Sequence, residues 1–114
     1  MKIVDGQAIA RTSASVTGSH TRIDLRLLAT ADLHAHLAPW DELAGKPAPN
    51  RGLALVAGLV AQARAEQPQA LLFDNGDFLN GSPLGDHLAD DRSWRSDPEG
   101  HPVVAAMNAI GYDA

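Results

Sequence analysis

Two short segments of the sequence carry the side chains best suited to chemistry. Residues 32–36 read DLHAH, and residues 74–86 read DNGDFLNGSPLGD. Carboxylate and imidazole groups together suit zinc, manganese, iron or cobalt better than calcium or magnesium. Side chains two residues apart in an extended segment point the same way, so Asp32 and His34, with His36 as a further candidate, are expected to converge on one ion.

Each segment taken alone also fits a simpler role. The first fits a solvated loop with an aspartate turn and two surface histidines. In the second, Asn75-Gly76 is typical of a tight turn, with Asp77 as a cap. The choice between these roles and a metal site depends on where the surrounding elements place the two segments.

The predicted elements place both segments at the ends of strands. Residues 23–29 alternate and then become apolar, which predicts a strand entering a buried sheet. Residues 70–73 form a short apolar run typical of a strand covered on both faces. A helix is predicted between them, after an N-cap at Asn50. The apolar stripe of this helix consists of Leu53, Val56, Val60 and Ala63.

Strand, helix and strand form a βαβ unit, so the predicted fold class is α/β. The carboxyl ends of the two parallel strands lie on the same side of the sheet, which is where such sheets bind ligands. Asp77 is therefore expected at the same rim as Asp32 and His34, and this shared position favours a metal site. A carboxylate between two ions can bridge them with its two oxygens.

The remaining sequence predicts one more helix and an incomplete sheet with an open edge. This helix begins at His101-Pro102 and ends at Gly111, after which residues 112–114 lead outward. The apolar stripe of the helix consists of Val103, Val104, Met107 and Ile110. Residues 30–49 are predicted to form a long polar connection and residues 74–86 a Gly- and Asp-rich loop, whereas residues 90–100 are charged and expected to be exposed.

Composition narrows the class of protein. The 114 residues fit one domain at most, with a flexible leader over residues 1–22 and a domain piece over residues 23–114. The net charge of −5 argues against a nucleic-acid duplex as partner. Zero cysteines exclude disulfides and thiol catalysis. No apolar run approaches the roughly 20 residues that span a bilayer, and no secretory signal peptide is visible, so no membrane partner is predicted.

Three segments resemble one family of enzymes. LLATADLHAHL (residues 27–37) is similar to the first motif of the calcineurin-like metallophosphoesterases, and FDNGDFLNGSPLGD (residues 73–86) is similar to the second. The GSPLGD ending and HPVVAAMNAIGYD (residues 101–113) resemble one branch, the bifunctional 2',3'-cyclic-nucleotide 2'-phosphodiesterase/3'-nucleotidases, which are relatives of the 5'-nucleotidases. The resemblance covers residues 23–114 and implies the N-terminal piece of a metallophosphoesterase α/β sandwich.

The resemblance also implies a role for each candidate residue. Asp32 and His34 match the ligands of one divalent ion, and Asp77 matches the aspartate that bridges two. His36 falls at a variable position and is not counted as a ligand. The implied cofactors are two divalent ions among Mn, Zn, Fe and Co, and the implied substrates are 2',3'-cyclic nucleotides and 3'-nucleotides. No residue is assigned to nucleotide binding.

The family's next motif, Gly-Asn-His-Glu, has no match in this sequence. In the family its Asn binds the second metal and its His assists catalysis. The catalytic histidine is therefore expected beyond residue 114. The chain is predicted to be the N-terminal fragment of a metal-dependent phosphoric ester hydrolase, inactive without the remainder of its own chain.

Two other functions stay open. An amidohydrolase-type metal site would use His34 and His36, but the GSPLGD loop has no role in it, and its barrel needs about 250 residues. A non-catalytic soluble interaction module would leave the acidic loops as solvated surface. Such a module would unfold cooperatively without regard to manganese, which separates it from the two metal enzymes.

Overall fold

The computed structural model describes residues 2–4, 7–17 and 22–114, and side chains from residue 23 onward. The strands are Lys2–Val4 (β1), Gln7–Thr17 (β2), Arg22–Thr30 (β3), Trp40–Asp41 (β4), Lys46–Pro47 (β5) and Leu71–Asp74 (β6). The helices are Leu53–Glu66 (α1), Pro83–Asp90 (α2) and Pro102–Ile110 (α3), with a 3-10 turn at Ser93–Ser96. None of the helices in these ranges combines the length and apolar character needed to cross a bilayer.

The predicted α/β fold class with a small incomplete sheet is confirmed. One sheet has the strand order β1-β2-β3-β6, and β4 with β5 forms a separate two-stranded hairpin. β3 and β6 are parallel, with α1 between them in sequence, and their last residues, Thr30 and Asp74, lie opposite each other. The carboxyl ends of both strands therefore meet at one edge of the sheet.

The N-terminal segment differs from the predicted flexible leader. Two strands, β1 and β2, lie within residues 1–22, and β2 pairs antiparallel with β3 from Ala10↔Ala29 to Thr17↔Arg22. Strand β2 reads QAIARTSASVT, where small or β-branched residues alternate with polar ones. Such small side chains give a weak sequence signal, but pairing satisfies the backbone groups along this edge of β3. Residues 1, 5, 6 and 18–21 of the predicted leader lie outside the described residues.

The predicted apolar stripe of α1 is confirmed as the centre of the core. All four of its residues are buried, and they belong to one cluster with residues of both parallel strands and of α3. The start of β3 is less covered than predicted, because Ile23 is 63% exposed and burial begins near Leu28. The fully covered core residues outside α1 include Leu28, Leu33, Leu72 and Val103.

The predicted N-cap of α1 at Asn50 is wrong. The helix begins at Leu53, and no side chain caps it. Instead, the Leu53 N–H donates to the His36 carbonyl at 2.7 Å, and the Ala54 N–H donates to the Leu37 carbonyl at 3.0 Å. Backbone carbonyls of the loop after β3 thus cap the start of the helix in place of a side chain. This capping also holds the loop after β3 in place.

Helix α2 begins within the segment 74–86, which was predicted to be a loop. Ser82 is its N-cap, since the Ser82 Oγ accepts from the Gly85 N–H at 3.1 Å, and Pro83 occupies the first turn. These start signals are present in the sequence, but eight residues with a short apolar face make a weak periodic pattern. α3 is confirmed with its end at Gly111, although Val104 of the predicted stripe is 37% exposed.

Residues 112–114 do not lead outward as predicted. The Asp113 N–H donates to the Leu72 carbonyl, and the Leu72 N–H donates to the Asp113 carboxylate, both at 2.8 Å. The Asp74 N–H donates to the Ala114 carbonyl, also at 2.8 Å. The segment therefore lies along β6, because backbone groups at an open strand edge need partners.

Candidate metal centre

The loops after β3 and β6 run side by side beyond the ends of the strands. The Asp32 N–H donates to the Gly76 carbonyl at 3.1 Å, and the His34 N–H donates to the Asp77 carbonyl at 3.2 Å. These bonds bring the two chemical segments of the sequence into contact. We call residues 30–36 together with residues 74–81 the strand-end corner.

Four residues of this corner have left-handed backbone, whereas the sequence predicted an extended segment for residues 32–36. Asp32, His34, Ala35 and Asp77 have φ angles of 56°, 48°, 56° and 58°, in the left-handed region. Asp and His tolerate that region better than most residues. Each such residue still carries a strain of order 1 kcal/mol, which the surrounding hydrogen bonds must offset. The side chains converge because of these local twists rather than through strand alternation.

Asp32, His34 and Asp77 form the cluster of potential metal ligands. One ligand atom from each side chain lies within 4.8 Å of the other two, and the described side chains contain no second cluster of this kind. The His34 Nε2 lies 3.9 Å from the Asp77 Oδ2. The carboxylates of Asp32 and Asp77, which lie within 4.8 Å of each other, repel by about 1 kcal/mol even in water, and a cation between them would reverse that effect.

His34 is held in the orientation that a ligand needs. Its Nδ1 lies 2.7 Å from the Asn80 carbonyl oxygen, which can only accept, so Nδ1 carries a proton and Nε2 is the nitrogen that faces Asp77. Metal-binding histidines commonly donate their other ring N–H in this way. Gly81 leaves room for the ring, because a Cβ at that position would collide with the His34 Nδ1, and Gly81 also has a φ of 109°.

His36 lies apart from this cluster. Its Nδ1 is 3.7 Å from the Glu42 Oε2, and its side chain is largely buried. The described cluster does not include His36, and its imidazole faces the β4–β5 hairpin loop instead. This placement disfavours a His-x-His metal site of the amidohydrolase type.

Behind the cluster, a hydrogen-bonded network joins the ends of β3 and β6. The Thr30 Oγ1 donates to the Asp74 Oδ2 at 2.5 Å and lies 3.0 Å from the Tyr112 hydroxyl. Burial raises the pKa of Tyr112 above its ordinary value, which keeps its hydroxyl protonated. Sequence reasoning missed these residues and the Asn80 carbonyl. Only Asp74 had a local signal, as an acidic residue between an apolar run and an Asn-Gly turn.

Known proteins resemble this chain over most of its length, although no family model matches it. The 2',3'-cyclic-nucleotide 2'-phosphodiesterase/3'-nucleotidase of Yersinia enterocolitica is 40% identical over 96 residues, which are 84% of this chain and 14% of the relative. The trifunctional nucleotide phosphoesterase YfkN of Bacillus subtilis is 38% identical over 98 residues, or 82% of this chain and 6% of the relative. A Haemophilus influenzae protein with the same name as the Yersinia one is 30% identical over 106 residues, or 93% and 16%.

A solved structure decides the fold family. The crystal structure of the calcineurin-like phosphoesterase YfkN from Bacillus subtilis superposes with a TM-score of 0.69 and 32% identity, covering 91% of this chain and 28% of that chain. The chain has the calcineurin-like phosphoesterase fold. The resemblance predicted from the motifs is thus confirmed, for a chain that spans only 6% to 16% of the curated relatives it matches.

Proposed function

We propose that this calcineurin-like chain supplies part of a dinuclear metal centre in an enzyme that hydrolyses 2',3'-cyclic nucleotides and 3'-nucleotides. The observation that carries the proposal is the convergence of Asp32, His34 and Asp77 within 4.8 Å at the strand-end corner. The substrate class comes from the names of the Yersinia and Haemophilus relatives.

The donor set fits divalent transition ions. Two carboxylates supply negative charge, and the Nε2 of a neutral imidazole supplies one softer ligand. In this arrangement Asp32 and His34 would hold one ion, and Asp77 would bridge to a second. When bound, such ions polarise a phosphoryl oxygen and lower the pKa of a water molecule. The chain's own contribution is to fix the three ligands at one edge of the sheet.

Three ligands are too few for two complete sites. A closed protein zinc site has four ligands, and a catalytic one usually keeps three. The second ion would keep only the Asp77 bridge from the described cluster. We therefore place the remaining ligands and the catalytic histidine in a longer chain, in line with the small share of each relative that this sequence spans. On its own, the 114-residue chain binds divalent metal weakly and hydrolyses no phosphoester.

Calorimetric titration with Mn²⁺ tests the site. Asp77→Asn removes a ligand charge and is expected to weaken binding by more than the roughly 10- to 100-fold that loss of an outer partner causes. His36→Ala is the matched control, since His36 lies in the same loop but faces Glu42. Unchanged binding in Asp77→Asn, or equal losses in both variants, would contradict the proposed ligand set. Thermal unfolding that ignores Mn²⁺ in the wild type would favour a non-catalytic module.

A hydrolysis assay tests the division of labour. The wild-type chain with Mn²⁺ is expected to show no turnover of 2',3'-cyclic AMP or bis-p-nitrophenyl phosphate. A longer protein that contains this segment is expected to turn over the cyclic nucleotide and to lose that activity more in Asp77→Asn than in His36→Ala. Turnover by the 114-residue chain that disappears in Asp77→Asn would show that its own residues suffice for catalysis.

A further inference from the structure

We infer that Thr30, Asp74 and Tyr112 are positioning residues, which hold the two ligand-bearing loops at metal-binding spacing through one chain of hydrogen bonds. The inference rests on the proposed metal site. It assigns a role to three residues that are not themselves proposed metal ligands. It also predicts that metal affinity depends on Tyr112, which follows α3.

The direction of each hydrogen bond follows from the chemistry of its partners. Thr30 is 1% exposed and lies opposite Asp74 in the parallel register of β3 and β6. A carboxylate can only accept, so the single hydroxyl proton of Thr30 goes to the Asp74 Oδ2, at 2.5 Å. The Tyr112 hydroxyl, 3.0 Å from the Thr30 Oγ1, must then be the donor of that second bond.

The other oxygen of Asp74 extends the chain into the loops. The Asp74 Oδ1 accepts from the Gly76 N–H at 2.8 Å, and the Gly76 carbonyl accepts from the Asp32 N–H at 3.1 Å. Gly76 has a φ of 104° and directly precedes Asp77. The orientation of this one residue therefore affects the backbone on which both proposed aspartate ligands stand.

Two observations favour a positioning role over a purely structural one. Asp74 lies three residues from Asp77 but is not in the ligand cluster, because its two oxygens point to Thr30 and Gly76. The Thr30 carbonyl also accepts from the Asn75 N–H at 2.8 Å, so the end of β3 is tied to the second loop at a backbone and a side-chain atom. Without the Thr30 hydroxyl, the Asp74 carboxylate would lose one of its two partners and could rotate. This rotation would also loosen the Gly76 turn.

The test compares variants of the 114-residue chain by their Mn²⁺ affinity, their Co²⁺ absorption spectrum and their metal-free melting temperature. Thr30→Val keeps the shape of the side chain but removes both hydroxyl bonds, and it is expected to weaken Mn²⁺ binding about tenfold and to change the Co²⁺ spectrum. Thr30→Ser restores the hydroxyl and is expected to bind within about twofold of wild type. Tyr112→Phe removes only the outermost bond and is expected to fall between these two.

Asp77→Asn serves as the reference that separates the two proposals. If Asp77→Asn weakens binding but Thr30→Val and Tyr112→Phe bind like wild type, the positioning role is wrong and the metal site stands. If Thr30→Val lowers only the melting temperature, its role is structural and the inference is overturned. If Thr30→Val does not fold, wild-type affinity in Tyr112→Phe overturns it. If Asp77→Asn also binds like wild type, both proposals fail together.

Discussion

The strand-end corner and the two ends of α3 both contain polar groups and left-handed backbone, but they use them in different ways. We call α3 together with Arg64, His101 and Gly111 the α3 mount. At the start of the helix the His101 Nδ1 accepts from the Val103 N–H at 3.2 Å. At its end Gly111 takes the left-handed conformation, and Arg64 donates to the carbonyls of Ile110 and Gly111 at 2.6 Å. Polar groups at both helix ends thus have partners of suitable charge and geometry.

In the strand-end corner, four positions with positive φ are occupied by residues other than glycine, and three of the four are the proposed metal ligands. Asp32, His34 and Asp77 all have positive φ, and the two carboxylates remain exposed beside each other. Strained backbone of this kind persists where the surrounding structure enforces it, and it is concentrated at functional sites. The α3 mount therefore contributes to the stability of the fold, whereas the corner carries backbone strain at the residues that we propose as metal ligands.

Among the changes that compare the two regions, the largest expected effect comes from closing the space around His34. Gly81→Ala places a Cβ against the His34 ring and is expected to weaken Mn²⁺ binding about 100-fold, because the imidazole must turn away. Gly100→Ala is the matched control: Gly100 also has a positive φ, of 73°, but a Cβ there meets nothing within 4 Å. Calorimetric titration should show a loss of Mn²⁺ affinity in Gly81→Ala and none in Gly100→Ala. Equal Mn²⁺ affinities in the two variants would mean that Gly81 is needed only for its positive φ and not for the space it leaves to His34.

The next effect belongs to the mount. Arg64→Ala leaves two helix-end carbonyls without their charged donor and is expected to lower the free energy of unfolding by about 2 kcal/mol, with Mn²⁺ affinity of the folded protein unchanged. Arg26→Ala is the comparison, since Arg26 is similarly exposed but donates to one helix carbonyl, that of Ala63, at the longer distance of 3.2 Å and pairs with Glu66 at the surface, so its loss is expected to cost less than the loss of Arg64. Urea unfolding measures both. A loss of metal affinity in Arg64→Ala would break the distinction between the two regions.

The smallest effect is a pH dependence of the mount. Burial lowers the pKa of His101, whose ring packs edge-on against Trp94 with centroids 4.9 Å apart. The unfolded chain therefore binds this proton more readily, and stability falls as the pH drops below the ordinary histidine pKa of about 6.5. His101→Asn keeps an accepting cap that does not titrate. Melting temperatures should fall less between about pH 7 and about pH 5 in this variant than in wild type. Equal slopes would show that His101 does not carry the effect.

Elements with local signals can be predicted from residue types alone. Leu53, Val56, Val60 and Ala63 recur at helical spacing, and this stripe is buried as predicted. Pro102 and Gly111 mark the two ends of α3 through their own backbone preferences. Both chemical segments follow apolar strands in the sequence. This order predicted that they would meet, because parallel strands share one ligand-binding edge.

The way in which the two segments contact each other depends on long-range contacts of the folded chain. The left-handed backbone at Asp32 and His34 depends on hydrogen bonds to Gly76 and Asp77, some 40 residues away in the chain. The start of α1 is capped by carbonyls of the loop after β3, so no side chain near Leu53 shows it. Such contacts use backbone atoms, which every residue carries, and residue types alone therefore do not reveal them.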